Sequence, residues 1–195
     1  MEPHVQTDDG PGPRSVLEGQ LRECYGRVVY SHKTHEKDAD ILLSRLAKVK
    51  LWQIGLSAVT TTALIAAVLG IGRVEALLAV LVSTALLVLN TYTKDYDLGE
   101  LAQKHKGAAA DLWLIRERYL SLLTDLRMGE KPIESLQRER DELLESLHSV
   151  YAGAPSTTTK AYEQAQSALQ LCEDMTFSDH EIDMLLPSDL KKGQR

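Results

Sequence analysis

The sequence predicts an all-α membrane protein, a two-helix transmembrane hairpin whose helices extend into a cytoplasmic helical bundle. Three observations predict it. Two uncharged runs, residues 51–72 and 76–93, are separated only by the bend Gly70-Ile71-Gly72-Arg73-Val74-Glu75. Apolar residues elsewhere recur at steps of three and four, the spacing of a helix face. No stretch of consequence alternates with the period of two that a strand requires.

Each run is long enough to cross about 30 Å of hydrocarbon, which takes about 20 residues. The first meets that length and the second lies near the lower limit. A buried soluble hairpin would need far more chain to cover it than the remaining residues supply. A cleaved signal peptide is excluded by position, because dozens of residues precede the first run. Arg45, Lys48 and Lys50 precede the first span and Lys94, Lys104 and Lys106 follow the second. The bend carries only Arg73, beside Glu75, so the positive-inside rule places both termini in the cytoplasm.

In chain order, residues 1–14 carry Gly10-Pro11-Gly12-Pro13 and paired acids, a composition expected to be disordered. Residues 15–50 form a juxtamembrane helix capped by Ser15, with Leu17, Leu21, Cys24 and Val28 as its apolar face. Between Ser31 and Asp40 the chain is almost wholly polar, an exposed helix turn or a break. The hairpin occupies 51–93. From there the second helix is expected to run uninterrupted into a cytoplasmic domain, 94–190, because no proline intervenes before Pro132. Its seam is Leu98, Leu101, His105, Ala108, Leu112, Ile115, Tyr119, Leu122 and Leu126. A turn at Gly129–Pro132 leads to a second seam, Ile133, Leu136, Arg140, Leu143, Leu147 and Val150, and such a pair reads as an antiparallel helical hairpin. A third helix carries Ala161, Ala165, Ala168 and Leu169. A short fourth starts at Ser178 with a capping box to Glu181. Residues 191–195 are a basic tail.

The faces of the spans bear on function. In the first, Gln53, Ser57, Thr60 and Leu64 share one side, and the small residues Gly55, Thr62 and Ala66 share the opposite one, suited to close helix packing. In the second, Ala79, Ser83, Leu87 and Asn90 share a side. The polar members cluster toward the cytoplasm and the apolar ones lie farther out. Gln53, Ser57, Thr60, Leu64, Ser83, Leu87 and Asn90 are therefore pore-lining candidates, a wet vestibule beneath a dry constriction. The same hydroxyls and amides can instead satisfy themselves against the i−4 carbonyl or the partner helix.

A net charge of −6 and a pI near 5.5 argue against general nucleic-acid binding. Cys24 and Cys172 suit separate reduced thiols. His32, His35 and Glu36 have a spacing that can share a helical face, but a fourth ligand is missing, so no metal is expected and the histidines are read as solvated. There is no phosphate-binding Gly-rich loop, HExxH, GxSxG or CxxC, so neither enzymatic activity nor a cofactor is expected. Arg116, Arg118, Arg140 and Asp125 remain as either interhelix ion pairs or a phosphate-binding set, with Arg140 expected to pair with Glu117 or Asp125.

Trp113 to Leu126, Arg140 to Leu143, Tyr151, Ala154-Pro155, Ala161-Tyr162 and Phe177 to Asp183 together resemble the SLATT family, two-span bacterial effectors associated with nucleotide-based conflict systems. The Tyr119–Leu126 and Phe177–Asp183 elements look like the branch linked to reverse transcriptases. The resemblance implies an antiphage effector of the inner membrane. It would form a homo-oligomer in contact with membrane lipid and permeabilise or depolarise the membrane. Its trigger would be an operon-encoded cyclic-oligonucleotide synthase or reverse transcriptase, or that enzyme's product. From the residues, the seams 98–126 and 133–150 are expected to gather the subunits. The competing expectation is a membrane-anchored helical module that recruits a soluble partner without forming a pore.

Overall fold

The computed structural model describes residues 12–70, 73–172 and 174–192. Among these residues six α-helices follow one another: α1 (Pro13–Val68), α2 (Arg73–Asp95), α3 (Leu98–Met128), α4 (Ile133–Gly153), α5 (Thr159–Leu171) and α6 (Asp179–Leu185), with a 3₁₀ turn at Ser188–Leu190. Among the described residues there is no strand. The expected disorder of residues 1–11 and the end of the basic tail, residues 193–195, lie outside the described residues.

α1 is one rod about 84 Å long at 1.5 Å per residue, so a single helix carries both the body of the protein and the first span. It begins earlier than expected. Pro13 takes the first helical position, and Gly12, not Ser15, accepts from Ser15 N at 2.9 Å and Val16 N at 3.2 Å. Arg14, assigned to a disordered tail by composition, donates to the carbonyls of Lys131 at 2.8 Å and of Gly129 and Leu126 at 3.4 Å. A guanidinium fork there ties the last turn of α3, at Leu126, to the Gly129–Lys131 turn that leads into α4. At the far end α1 stops at Val68 rather than running to Gly72, and Gly70 adopts φ +76°.

The second span does not continue into the body unbroken. Tyr96 and Asp97 interrupt it, because the Asp97 carboxylate accepts from Glu100 N at 2.8 Å and caps a new helix. Gly99 makes room for this corner. A Cβ there would lie 3.2 Å from Asp97 Oδ1 and 3.5 Å from Leu46 Cδ2.

The body is built on the pairing of α1 with α3. Leu17, Leu21, Cys24 and Val28 bury against Leu112, Ile115, Tyr119, Leu122 and Leu126, and α4 closes the core with Leu136 and Leu143. The two seams are thus consumed inside one chain, and their core positions are unavailable for joining subunits. α5 packs on α1 through Ala161, Ala165 and Ala168, all buried.

In the hairpin, Gln53, Leu56, Thr60 and Ala63 of α1 are half-buried and meet Ala79, Val82, Leu86, Leu89 and Thr93 of α2. Elsewhere its large apolar side chains stand open, Trp52 and Ile54 at 68% and Leu64 at 61% exposure. Both helices are long and apolar enough to cross a membrane, and their most apolar stretches are 0% and 6% buried. A soluble core helix would be covered, and an aqueous surface this apolar would aggregate, so the open faces are those of a hairpin suited to a membrane.

Candidate functional site

Two regions gather polar side chains where packing makes them costly, the hairpin and a layer directly below it. In the hairpin, the Gln53 amide donates to Asn90 Oδ1 at 2.9 Å and to Thr93 Oγ1 at 3.2 Å. Thr60 is half-buried and donates to the Leu56 carbonyl at 2.8 Å. Thr61 and Thr62 likewise donate to Ser57 O and Ala58 O. These bonds satisfy hydroxyls and amides that hydrocarbon would otherwise leave unpaired. Ser57, Leu64, Ser83, Leu87 and Asn90 are exposed, as are Gly55 and Thr62, whereas Ala66 is half-buried. A Cβ added at Gly55 would meet nothing within 4 Å among the described residues, so the backbone is open at that position.

The second region is the polar run of 31–40. It is neither a break nor solvated, because it continues α1 with His32, Thr34, His35 and Asp38 all buried. Three partners hold it. His35 Nδ1 and His105 Nδ1 lie 2.9 Å apart, a bond that requires one ring nitrogen to carry a proton and the other to be free of it. Asp38, 2% exposed, accepts from Thr158 N at 2.9 Å on Oδ2 and from Thr158 Oγ1 at 2.7 Å on Oδ1. Thr158 in turn caps α5 by accepting from Ala161 N at 3.2 Å. Lys33 bridges Glu36 at 3.1 Å and Asp174 at 3.0 Å.

These contacts shape the titration of the layer. Burial, reinforced by His105 and His32 against the pull of Asp38, holds His35 below its ordinary value. Burial also lowers His105 against Asp38. His32 is lowered by burial and by Arg116 and Lys33, with Glu36 opposing. Burial pulls Lys33 down, but its bonds to Asp174 and Glu36 outweigh this and its value is raised. The layer therefore favours neutral imidazoles at pH 7. Among the described residues no three or more His, Cys, Asp or Glu side chains converge as a metal site.

A periodicity in the sequence marks this layer. Leu21, Cys24, Val28, His32, His35, Ala39 and Leu42 continue a single seam at steps of three and four. Thr158 and Asp174 carry no such mark. The arginines are dispersed. Arg140 donates to Gln20 Oε1 at 3.0 Å and Asp141 Oδ1 at 2.9 Å, and pairs with neither Glu117 nor Asp125. Asp125 pairs with Lys131 at 2.9 Å, Arg116 with its neighbour Glu117, and Arg118 is exposed. Each guanidinium folds back onto the carboxylate of the next residue in sequence, so Arg116 and Arg140 do not pair with each other's helices through these groups.

Comparison with known proteins gives a match over residues 17–181 to the model of the SMODS and SLOG-associating 2TM effector domain family 4. No curated protein and no solved structure gives a significant match.

Proposed function

The chain belongs to the SMODS and SLOG-associating 2TM effector domain family, and from that premise we propose that it is a conflict effector that permeabilises the bacterial inner membrane. Both termini lie in the cytoplasm and the bend of residues 70–75 faces outward. Several hairpins assemble around a pore when a nucleotide-synthesising partner, or its product, reaches the helical body.

The observation that carries this reading is the two-sidedness of the hairpin. With α1 and α2 antiparallel and facing each other along Gln53, Leu56 and Thr60 and along Ala79, Leu86 and Leu89, about 100° per residue fixes the remaining positions. Ser57 and Leu64 on α1 then fall on the same side of the pair as Ser83, Leu87 and Asn90 on α2. The other side is an apolar groove of about 710 Å³ that includes Trp52, Leu81, Ala85, Val88 and Tyr92. A polar side and an apolar side suit a hairpin that faces water on one and lipid on the other. Gly55 and Thr62 lie on the back of α1, where a neighbouring helix can approach closely.

This arrangement moves the subunit contacts from the helical seams, which are buried within the chain, to the hairpins. An uncharged wall of Ser57, Ser83 and Asn90, with Leu87 among them and Leu64 farther out as the dry constriction, discriminates poorly among small ions, which suits an effector that collapses a potential. Leu64→Lys or Leu87→Lys is expected to make liposomes containing the protein leak ions in the resting state. Unchanged flux in these and in Ser57→Leu and Asn90→Leu would show that this side does not face a pore.

A second reading, an anchored module that recruits a soluble partner, draws on Leu171, Phe177, Met184 and Leu185, which stand 66–82% exposed. Expression separates the two: rapid depolarisation supports the pore, and harmless accumulation under infection supports the anchor.

A further inference from the structure

Just before the first span, one face of α1 carries Ile41, Ser44, Arg45 and Lys48 at helical spacing. α5 buries Ala161 and Ala165 on α1, which brings Lys160 and Gln164, one helical turn apart, beside that face. The Asp38 carboxylate fixes this docking by holding Thr158 at the head of α5. The result is a cleft of about 300 Å³ between the two helices. It holds three cations, Arg45, Lys48 and Lys160, against one carboxylate, Asp40. None of the four is ion-paired among the described residues.

The depth of the cleft and its continuation define what fits it. Arg45 and Lys48 stand about 9 Å and about 4.5 Å before Leu51 at the rise of an α-helix. The headgroup layer outside the hydrocarbon is about 5–8 Å deep, and long basic side chains reach across it. One turn further along α1, Val49, Trp52 and Leu56 line the apolar groove between the spans. The same side of α1 thus presents a cationic cleft at headgroup depth and then an apolar channel in the hydrocarbon.

We propose that this is a binding site for an anionic phospholipid. Arg45, Lys48 and Lys160 hold the phosphate, and an acyl chain lies along Trp52 in the groove. Surface attraction alone would involve the lysines flanking either span. What singles out a bound lipid is Lys160, which comes from more than a hundred residues away and reaches the cleft only because α5 is docked. The site ties the helical body to the membrane at the root of the first span. It requires the membrane hairpin but no pore.

Trp52 supplies the readout. In full-length Trp113→Phe protein, Trp52 is the remaining tryptophan, and a lipid brominated on its acyl chain quenches it on contact. In neutral detergent, brominated phosphatidylglycerol is expected to quench saturably, and brominated phosphatidylcholine only at severalfold higher concentration. Lys160→Gln should weaken phosphatidylglycerol about fivefold, the worth of one cation near an anionic surface, and Arg45→Gln/Lys160→Gln about 25-fold. Lys106→Gln, an exposed lysine away from the cleft, should change nothing, and far-ultraviolet circular dichroism confirms that each variant keeps its helices. Equal quenching by both lipids, or no effect of Lys160→Gln in a folded variant, overturns the site. Displacement of the lipid by millimolar inorganic phosphate would assign the cleft to free phosphate instead and overturn the lipid reading. No arm measures conductance, so these results stand apart from the fate of the pore.

Discussion

Replacing Asp38 tests whether the polar layer organises the body. Its carboxylate accepts two bonds from Thr158, at 2.9 and 2.7 Å, in a site where the acid is 2% exposed. Bonds to a charged acceptor contribute about 1.5–3 kcal/mol each, and release from burying the charge returns part of that. Asp38→Ala should therefore destabilise the docking of α5 by about 3 kcal/mol, and Asp38→Asn, which keeps one carbonyl acceptor, by about half as much. Thr158→Val removes one of the two bonds and the side-chain cap on Ala161, for about 2 kcal/mol, while Thr158→Ser retains both. α5 buries small alanines on α1, and beyond the Asp38 bonds it is tied there by the stacking of Tyr162 on Tyr30 at 5.9 Å and by the Gln170 amide donating to the exposed Tyr30 hydroxyl at 2.7 Å, so losing the buried Asp38 bonds removes its strongest tie. Hydrogen exchange read by mass spectrometry over residues 159–171 should accelerate about a hundredfold in Asp38→Ala, with residues 105–126 of α3 much less affected. The Asp38→Ala and Thr158→Val effects should be strongly non-additive. Exchange within twofold of wild type in α5, or an equal rise across the whole body, would refute the reasoning.

The three lowered histidines bind fewer protons folded than unfolded, so their contribution to stability is complete above about pH 6.5 and is lost as pH falls below it. The unfolding midpoint of the detergent-solubilised protein should drop between pH 7 and pH 5, and His35→Gln/His105→Gln should flatten that slope; an unaltered slope contradicts the assignment. The Tyr119 hydroxyl is buried with no hydrogen-bond partner of normal geometry among the described residues, and burial followed by the neighbouring Cys24 thiol pushes its pKa upward. Tyr119→Phe should thus leave the melting temperature unchanged or raise it by a few degrees, about 1 kcal/mol, and a clear loss would reveal a partner for the hydroxyl. Gln53→Leu removes the bonds to Asn90 and Thr93 and should weaken the α1–α2 contact by about 0.6 kcal/mol per bond, measurable as slower disulfide formation between paired cysteines introduced at Leu56 and Leu86; equal or faster formation would contradict it.

The hairpin was legible because lipid imposes a one-dimensional rule, an uncharged length of about 20 residues, that needs no knowledge of distant contacts. The α1–α3 core was legible for a similar reason, since Leu17, Leu21, Cys24 and Val28 and the seam around Leu112 repeat at helical spacing. The polar run at 31–40 misled because its partners are remote. His105 lies 70 residues away and Thr158 lies 120, and local composition gives no sign that they satisfy His35 and Asp38. The break at Tyr96 carried a local sign, Asp97 three residues before Glu100, that the lack of a proline outweighed. The arginines failed for the opposite reason: Arg116 and Arg140 bind adjacent carboxylates, so a pairing inferred across helices gave way to a nearer one.

The two-sided hairpin is tested most directly by thiol accessibility. In Cys172→Ser protein, where the remaining Cys24 is buried, single cysteines at Ser57, Ser83 and Asn90 should react with a membrane-impermeant thiol reagent in conducting proteoliposomes. Cysteines at Ala85 and Val88 in the groove should not. Equal labelling of the two sides, or labelling of the groove alone in protein that conducts, would contradict a pore lined by the polar side.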